Sequence, residues 1–497
     1  MKYKRETTSR LSSYLVVVTA TLACLTAQSA LATVTLWHAP SEEPKSQLWK
    51  VVLENTNEEL DVLTARTADP PFEKYNHGGE YGIVSLDANE SVVLLITELT
   101  GADLSNLRIR PDSKGIDFQR VDDHSVRVKI DQPCQLSVEY DGRNHPLLLF
   151  VNAPETIVPD QNNPNVVYYG PGIHEPKDSK IELTDNQHLY LAPGAIVKCG
   201  VHVTGSNVSI SGRGIIDSNS WDWGKGPTQF SLGIREAKHV SVDGIIIRGS
   251  SRWTLVPVGS EDVTINNVKI CGGRVQNDDG INPCNTRRMK VTNTFVRSDD
   301  DCMALKGLGN ELGNCEDIEV DNCVFWCDRA RIVLMGHESR ADYMRRITFR
   351  NIDVIHHRMP IFLLEPGEEM KIEDVTLEKI RVETNPDNEL TEDLKKTIEA
   401  NTRPHDIPGM PTWLLVARPT INQYMHTQSP GHIKGLTYRD VTVTGAPAFC
   451  GVLVQGYDEE HRASDVLIDN VTLYSERLTD ESARVLFGDY TDNLKVE

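Results

Sequence analysis

The stretch Val466-Leu467-Ile468-Asp469-Asn470-Val471-Thr472-Leu473 carries the pattern that decides the fold. Apolar, mostly β-branched residues alternate with polar ones, which is typical of β-strands. The Asp-Asn pair in the middle suits a corner, because these side chains bond to the backbone and tolerate left-handed geometry. Closely similar segments begin at Val263, Ile318 and Ile347, and related ones begin at Val240, Met289, Val375 and Leu436. The chain therefore repeats one supersecondary unit.

The spacing of these segments predicts the architecture. The steps from 240 to 375 are 23, 26, 29, 29 and 28 residues, the step from 375 to 436 is 61, about two steps, and the last is 30. No fixed leucine framework or helix accompanies them, so a leucine-rich repeat is a poor match and a right-handed parallel β-helix of about nine to eleven coils is predicted. Residues one coil apart then become neighbours at about 4.8 Å. We interpret residues 384–430, inside the long step, as an inserted loop.

The N-terminal part of the chain has a different rhythm. Short β-type runs at 48–53, 92–97, 126–130 and 136–140 are separated by turn signals such as Asp141-Gly142. This pattern predicts an antiparallel β-sandwich over residues 33–153. A Pro- and Asn-rich stretch at 154–164 reads as a linker, and residues 154–497 are assigned to the β-helix. The overall prediction is an all-β protein in which a β-sandwich precedes a parallel β-helix.

Residues 1–32 have the features of a secretory signal peptide. Lys2, Lys4 and Arg5 precede an apolar run at about 11–27, and Ala30-Leu31-Ala32 forms a small-x-small cleavage signal. The mature protein is expected to begin near Thr33 and to be secreted, either to the medium or to the periplasm. No later segment approaches the roughly 20 apolar residues that a membrane span needs.

Charge and cysteine usage exclude several classes of partner. The 72 acidic and 51 basic residues give a net charge of −21, which opposes binding to nucleic acid or an anionic membrane. Ten cysteines include no paired CxxC or Cys/His spacing of a zinc site, and the sequence predicts neither a metal nor a cofactor. Buried thiols are the favoured interpretation, with a disulfide among Cys315, Cys323 and Cys327 left open.

Two acidic clusters occupy the same phase of adjacent coils. The first is Asn277-Asp278-Asp279-Gly280 and the second is Asp299-Asp300-Asp301-Cys302. Asp279 and Asp301 are 22 residues apart, one short coil, so their carboxylates are expected to lie close together. Mutual repulsion raises at least one pKa in such a cluster and provides the proton that glycoside hydrolysis requires. Asp-rich corners also bind calcium or cap backbone groups, and this reading remains an alternative.

These clusters resemble the motifs of known polysaccharide-cleaving enzymes. Asn277-Asp278-Asp279-Gly280 is similar to the Asn-Thr-Asp-Gly motif of the polygalacturonases of glycoside hydrolase family 28, and Asp300-Asp301-Cys302-Met303-Ala304 is similar to their Asp-Asp-Cys-x-Ala motif. The chain also resembles the dextranase-type family 49, which has a β-sandwich before its β-helix. The resemblance implies an inverting hydrolase in which Asp300 is the general acid, while Asp279 and Asp301 position the water. It leaves Asp278 and Asp299 outside the catalytic unit.

Five residues are predicted to bind substrate: Trp253, Asn277, Arg331, His337 and His356. Trp253 lies one coil before Asp279, at the place of a sugar-stacking platform. Arg331 lies one coil after Asp301, where polygalacturonases carry Gly-His-Gly; an outward Arg331 paired with Asp328 is the alternative. His337 is expected beside this strand or on a plain turn, and His356 and His357 alternate, so one faces the groove or both are structural. The Arg-Ile-Lys carboxylate clamp of polygalacturonases has no clear match, which leaves the sugar open.

Three functions compete at this point. The favoured one is an inverting glycoside hydrolase acting on a polysaccharide. A calcium-dependent polysaccharide lyase needs a uronic substrate and a base, for which Arg331 is the phase-matched residue. A non-catalytic glycan-binding β-helix uses the same groove without turnover.

Overall fold

The computed structural model describes residues 34–67, 79–385, 413–448 and 450–497. It shows an all-β chain in which a right-handed parallel β-helix follows a β-sandwich. The predicted signal peptide lies outside the described residues. Four short 3-10 turns are described, Leu104–Asn106, Asp112–Lys114, Lys177–Ser179 and Asn310–Leu312. None of the described helices is long and apolar enough to cross a lipid bilayer.

The sandwich consists of two sheets that enclose an apolar core. One sheet contains Val34–Leu36, Leu63–Arg66, Glu80–Ala88, Arg108–Arg110, Cys134–Glu139 and Leu147–Asn152; the other contains Trp49–Leu53, Glu58–Leu60, Val92–Glu98, Phe118–Arg120 and Ser125–Ile130. Their alternating burial, as in Val92–Glu98, follows from the two-residue period of a strand. An antiparallel sandwich was predicted. One described strand pair differs, because Leu147–Asn152 runs parallel to its neighbour Glu80–Ala88.

One face of the β-helix is a sheet of 19 strands, here called the long sheet. Strands of successive coils pair in parallel and in register, for example Ile318 with Ile347 and Ile347 with Val375. The strands of the long sheet are Val166–Tyr169, Gly172–His174, His188–Leu191, Ala195–Val197, Val208–Gly212, Ile215–Asp217, Lys238–Asp243, Ile246–Arg248, Glu261–Asn266, Lys269–Cys271, Arg287–Thr292, Phe295–Ser298, Cys315–Cys327, Tyr343–His356, Lys371–Thr384, His432–Gly445, Ala463–Leu473, Glu476–Arg477 and Thr491–Val496.

The other face of the β-helix carries strands of only three to five residues, here called the narrow sheet. Bridges at Ile281 and Cys284 join its four-stranded and six-stranded parts, so it passes through eleven successive coils. Its strands are Lys180–Leu183, Gly200–Val203, Leu232–Arg235, Leu255–Val258, Met303–Leu305, Val333–Gly336, Phe362–Glu365, Trp413–Ala417, Gly451–Val454 and Val485–Phe487. One continuous apolar core lies between the two sheets.

The 61-residue step corresponds to one coil and not to two. Lys371–Thr384 pairs directly with His432–Gly445, and Val375 lies opposite Leu436. The predicted loop at 384–430 was also too long, because Trp413–Ala417 is a fully buried strand of the narrow sheet. Residues 386–412 lie outside the described part of the chain.

The repeated asparagines form the corners that the sequence pattern predicts. Asn267, Asn293, Asn322, Asn351 and Asn470 all have left-handed backbones, with φ between 51° and 54°. Their side chains also stack from coil to coil, since the Asn322 amide donates to Asn293 Oδ1 at 2.7 Å. Each corner therefore satisfies polar groups of its neighbour, which favours Asn at this position over an apolar residue.

The sandwich packs on the long sheet through apolar contacts and buried ion pairs. Phe150 meets Phe295 edge to face, with ring centroids 5.3 Å apart. The buried Arg297 guanidinium lies 4.4 Å from the Tyr81 ring centroid and 4.1 Å from that of Trp326. Arg213 donates to Asp87 across the same interface at 2.9 Å. These contacts hold the sandwich against the long sheet of the β-helix, so the narrow sheet lies on a different face from the sandwich.

The described cysteines are nine unpaired thiols, and all but Cys134 are buried. The disulfide left open among Cys315, Cys323 and Cys327 is therefore not formed, and these three residues are fully buried within the core between the sheets.

Candidate active site

The acidic clusters lie where the chain enters the narrow sheet. Parallel bridges align Leu255, Ile281 and Met303, and Met303 pairs with Val333. Two residues earlier in each coil, Trp253, Asp279, Asp301 and Arg331 therefore occupy one row on successive coils. The backbone hydrogen bond from Gly280 N to Asp301 O, at 2.9 Å, holds the two acidic coils in this register.

Asp278 braces the two acidic coils. Its Oδ2 accepts hydrogen bonds from the backbone N–H groups of Gly273 and Arg274, at 2.7 and 3.0 Å. Its Oδ1 accepts one from Asp299 N at 2.6 Å and a longer one from Asp300 N at 3.4 Å. Asp278 is thus outside the row of catalytic candidates, as the motif implies, but the position of Asp300 depends on it.

Asp279 is enclosed by a lysine and an amide. Lys306 Nζ lies 3.7 Å from its Oδ2, and Asn282 donates to the same oxygen at 2.8 Å. Burial raises the pKa of Asp279 well above its usual value; Lys306 opposes this shift, and the charges of Asp300 and Asp301 add to it. Asp279 therefore retains a proton more readily than an ordinary carboxylate.

Asp301 pairs with the next coil. Its Oδ1 accepts from the backbone N–H of Arg331 and lies 3.0 Å from the Arg331 guanidinium. Burial raises the pKa of Asp301, Arg331 opposes the shift, and Asp300 strengthens it, with a net increase. Arg331 thus points toward the acids and does not follow the alternative, in which it pairs with Asp328.

Asp300 is the most exposed carboxylate of the three candidates. Its side chain is 13% exposed, against 3% for Asp279 and 2% for Asp301. Arg329 donates to Asp300 Oδ2 at 2.6 Å, and Asn277 reaches the same oxygen from the preceding coil at 3.5 Å. Burial raises the pKa of Asp300, but Arg329, Arg331 and Lys306 together lower it below the usual value.

Asp300 is also the residue that the family resemblance implies as the general acid, and in the free protein its pKa is shifted in the direction that favours loss of the proton. The pKa values of Asp279 and Asp301 are raised while that of Asp300 is lowered, so Asp279 and Asp301 retain a proton more readily than Asp300 does. Arg329 also donates to Asp299 at 2.7 Å, yet burial and Asp278 raise the pKa of Asp299 to about 8.

The Trp253 ring, predicted to stack on a sugar, contacts protein side chains. Its ring stacks on Phe230, with centroids 5.8 Å apart and planes 4° from parallel. Lys306 Nζ lies 4.1 Å from the Trp253 ring centroid. The ring therefore helps to place the lysine that faces Asp279, through a cation–π contact.

His337 lies at the other end of the site, one narrow-sheet strand beyond the acids. Its Nδ1 is 2.8 Å from Glu365 Oε2, and Arg418 donates to Glu365 Oε1 at 2.8 Å. Tyr424 lies against the His337 ring at a centroid distance of 5.6 Å. Glu338 extends toward the acids, where its Oε2 is 3.4 Å from Lys306 Nζ.

His356 does not face this site, so its assignment to substrate binding is corrected. It is fully buried against the sandwich, with Nε2 3.0 Å from Glu139 and its ring 4.1 Å from that of Trp326. The reason is phase: Trp326 pairs with His356 in the long sheet, in the row that carries Arg297 and faces the sandwich. His356 and Glu139 also line a cavity of about 750 Å³ between the two parts.

Several residues of the site were not found from the sequence: Lys306, Arg329, Asn282, Glu365 and Arg418. Lys306 had a detectable signal, because Met303 and Leu305 face the core, so the two-residue period of the strand turns Lys306 outward with Ala304. Glu365 and Arg418 lacked one, since the inserted segment at 386–412 separates them by 53 positions.

Comparison with known proteins agrees with the motifs. Residues 193–326, which include both acidic clusters, match the family model for glycosyl hydrolases family 28. The probable exopolygalacturonase B of Aspergillus terreus is 28% identical over 209 residues, which are 36% of this chain and 46% of that protein. The dextranase of Arthrobacter globiformis is 23% identical over 352 residues, or 54% of this chain and 53% of that protein. The chain spans about half the length of these curated relatives.

The fold agrees as well. Dex49A from Penicillium minioluteum superimposes with a TM-score of 0.57 at 14% identity, covering 93% of this chain and 96% of that one. At this identity the likeness concerns the fold alone. In its fold and in the segment that carries the acids, this chain therefore resembles the β-helical glycoside hydrolases of family 28 and of the dextranase-type family 49.

Proposed function

We propose that this protein is an exported glycoside hydrolase that cleaves O-glycosidic bonds in a polysaccharide, with Asp279, Asp300 and Asp301 as one catalytic unit. The observation that carries the proposal is the convergence of these three carboxylates, from two adjacent coils, on one side of the narrow sheet. Lys306 and Arg331 limit their repulsion, and burial raises the pKa of Asp279, which favours retention of a proton in the site. A proton donor and a base in one small site are what glycoside hydrolysis needs.

The roles follow from exposure and position. Asp300 is the carboxylate nearest to solvent, so it is the one that a glycosidic oxygen can reach. It donates its proton to the leaving oxygen while the more enclosed Asp279 and Asp301 orient a water, which attacks the anomeric carbon from the opposite side and inverts it. Because Arg329 lowers the pKa of Asp300 in the free protein, this role requires the bound glycan to separate Arg329 from Asp300, so that the proton moves to Asp300.

The charges around the acids favour a neutral polysaccharide. Among the residues described near the cluster, Lys306, Arg329, Arg331 and Arg418 each already pair with a carboxylate. The outward side chains of the next strands, Leu334 and Leu363, are apolar and belong to a small buried cluster. A uronate would therefore meet acidic groups whose cations are engaged, whereas an uncharged glucan-type chain incurs no such repulsion.

Arg331 is a poor base for the lyase alternative. Arg331 was its phase-matched residue, but the nearby carboxylates Asp301 and Asp300 raise the pKa of Arg331 further against the effect of burial. A guanidinium held in its charged form does not accept the proton that β-elimination removes.

A panel of purified polysaccharides with detection of new reducing ends tests the proposal. We expect release from a neutral α-glucan such as dextran, more slowly or not at all from polygalacturonate, and no product absorbing in the ultraviolet. Proton NMR of the first anomer formed should show inversion. Binding without any reducing-end release across the panel would instead identify a glycan-binding protein, and an unsaturated, ultraviolet-absorbing product would identify a lyase.

A further inference from the structure

Three side chains capable of binding a metal meet on successive coils, away from the acidic cluster. They are Glu369, His432 and His461. Glu369 lies two residues before the strand Lys371–Thr384, His432 begins the next long-sheet strand, and His461 lies two residues before the strand after that. Parallel pairing of these strands, with Lys371 opposite His432 and Ile433 opposite Ala463, brings the three residues to one edge.

The distances are close to those of a tetrahedral site. His461 Nε2 is 3.3 Å from Glu369 Oε1, His432 Nε2 is 3.4 Å from Glu369 Oε2, and one ligand atom from each residue lies within 4.8 Å of the others. Ligands at about 2.0–2.1 Å from a tetrahedral zinc ion are about 3.3–3.4 Å apart. The two contacts have this length but involve different oxygens of Glu369, so binding of one ion requires a small turn of the carboxylate and an approach of the two histidines.

The orientation of His461 is also that of a metal ligand. Asp458 Oδ1 lies 2.8 Å from His461 Nδ1 and accepts the backbone N–H of the same residue at 2.8 Å. A proton held on Nδ1 leaves the lone pair of Nε2 directed at Glu369, which is the carboxylate–histidine arrangement that supports bound zinc in proteins. His432 presents its Nε2 to the same glutamate, and the two imidazole rings lie 4.9 Å apart, 31° from parallel.

We propose that Glu369, His432 and His461 form a binding site for a divalent transition-metal ion of the zinc class, with Asp458 positioning His461 and water as the fourth ligand. Two imidazoles and one carboxylate match the ligand preference of zinc and offer too few oxygens for calcium. The ion would connect three consecutive coils. This site is independent of the proposed hydrolase activity.

The same edge has a link to the candidate active site. Ser429 contacts Glu369, and the backbone N–H of His426 donates to Glu368 at 2.6 Å. The segment between them and the narrow sheet carries Tyr424, which lies against His337. A metal on Glu369 therefore holds the base of the loop that borders the site.

Calorimetric titration of the full-length, untagged, chelator-treated protein with zinc chloride tests the proposal. We expect one ion per chain, a higher melting temperature with zinc, and neither effect with magnesium. The double variant H432Q/H461Q should lose binding by at least 100-fold, and Asp458→Asn should weaken it by about 10–100-fold. His239→Gln is the matched control, because His239 also faces a carboxylate, Asp262, at 3.6 Å on an earlier coil but belongs to no group of three possible ligands in the described part of the chain.

Cobalt(II) provides a spectroscopic check that excludes the cysteines. A site of two imidazoles and one carboxylate gives visible bands of a four-coordinate ion without the near-ultraviolet thiolate charge-transfer band. If the double variant binds zinc as tightly as the wild type, or if cobalt shows thiolate ligation, the site is elsewhere and the three residues form only imidazole–carboxylate pairs. Equal weakening in His239→Gln would likewise overturn the assignment.

Discussion

Replacing Arg329 by Gln should change the pH dependence of catalysis in a defined direction. Arg329 donates to Asp300 at 2.6 Å in a site where Asp300 is 13% exposed, so solvent screens the pair only weakly. An arginine at this distance lowers a carboxyl pKa by about 1–3 units, equivalent to about 1.4–4 kcal/mol. Without it, burial is opposed by Arg331 and Lys306 but no longer by Arg329, and the pKa of Asp300 rises.

The sign of the effect follows from the proposed role of Asp300. A general acid must be protonated, so activity is lost as pH rises through its pKa. The alkaline limb of the pH profile of kcat/KM should therefore move upward by about 1–3 pH units in R329Q, while the acidic limb changes little. The assay is reducing-end release from a polysaccharide that the enzyme cleaves, measured at subsaturating substrate and normalised to each variant's maximum.

Arg345→Gln is the matched control, because Arg345 forms a similar pair with Glu316 on the long sheet, at 2.7 Å. Its profile should coincide with the wild type. A rise of the acidic limb in R329Q would mean that Asp300 acts as the base, and an unchanged profile would mean that the Arg329–Asp300 contact does not survive in the working enzyme.

Four further predictions follow from the described contacts. Asn at position 279, 300 or 301 should each lower kcat by about 10²–10⁴-fold with an unchanged circular dichroism spectrum, whereas Asp321→Asn, on the long sheet, should not; retention of activity by any of the three removes that residue from the unit. Asp278→Asn should lower both the melting temperature and kcat, because Asp278 accepts four backbone hydrogen bonds, contrary to the small effect that its place outside the motif implies. His356→Ala should lower the melting temperature and leave KM unchanged, while His337→Ala should change KM; the reverse pattern would return His356 to the substrate site. Burial raises the pKa of Glu139 from 4.5 to about 7, so between these pH values the folded state binds a proton that the unfolded state has lost. The stability supplied by this group should therefore fall by up to about 3 kcal/mol as pH rises from about 4.5 to about 7. Glu139→Gln should flatten this pH dependence in thermal melts, and an equally steep dependence in the variant would assign it to other groups.

The architecture was predictable because each coil of the β-helix repeats the same sequence pattern. Apolar alternation and Asn corners such as Asn322 and Asn351 recur once per coil. The 22-residue separation of Asp279 and Asp301 equals one coil and therefore places the two residues side by side. What the period cannot give is the neighbour on the outside of the helix. His356 has the right spacing for several faces, and only the docked sandwich, through Glu139, decides which one it takes.

Ion pairing was equally hidden. Whether Arg329 and Arg331 turn toward the acids depends on backbone geometry at Cys327-Asp328-Arg329-Ala330, where the strand ends. The pKa values of the carboxyls depend in turn on those pairs, so the motif pointed to the acids without showing that the pKa of Asp300 is lowered in the free protein. The direct pairing of the strands on either side of the 61-residue step was obscured because an insertion of unknown length can mimic a skipped coil.

The position of Arg297 between Tyr81 and Trp326 has a consequence for how the polypeptide is made. When residues 34–152 leave the ribosome, the surface that carries Tyr81, Leu148 and Phe150 has no cover, because its partners Phe295 and Trp326 are synthesised later. Asp87 and Glu139 also wait for Arg213 and His356. A nascent or truncated sandwich therefore exposes an apolar surface together with acidic side chains that are buried in the complete protein. A chaperone would be needed to cover this surface until the coils that pack on it have been synthesised and folded.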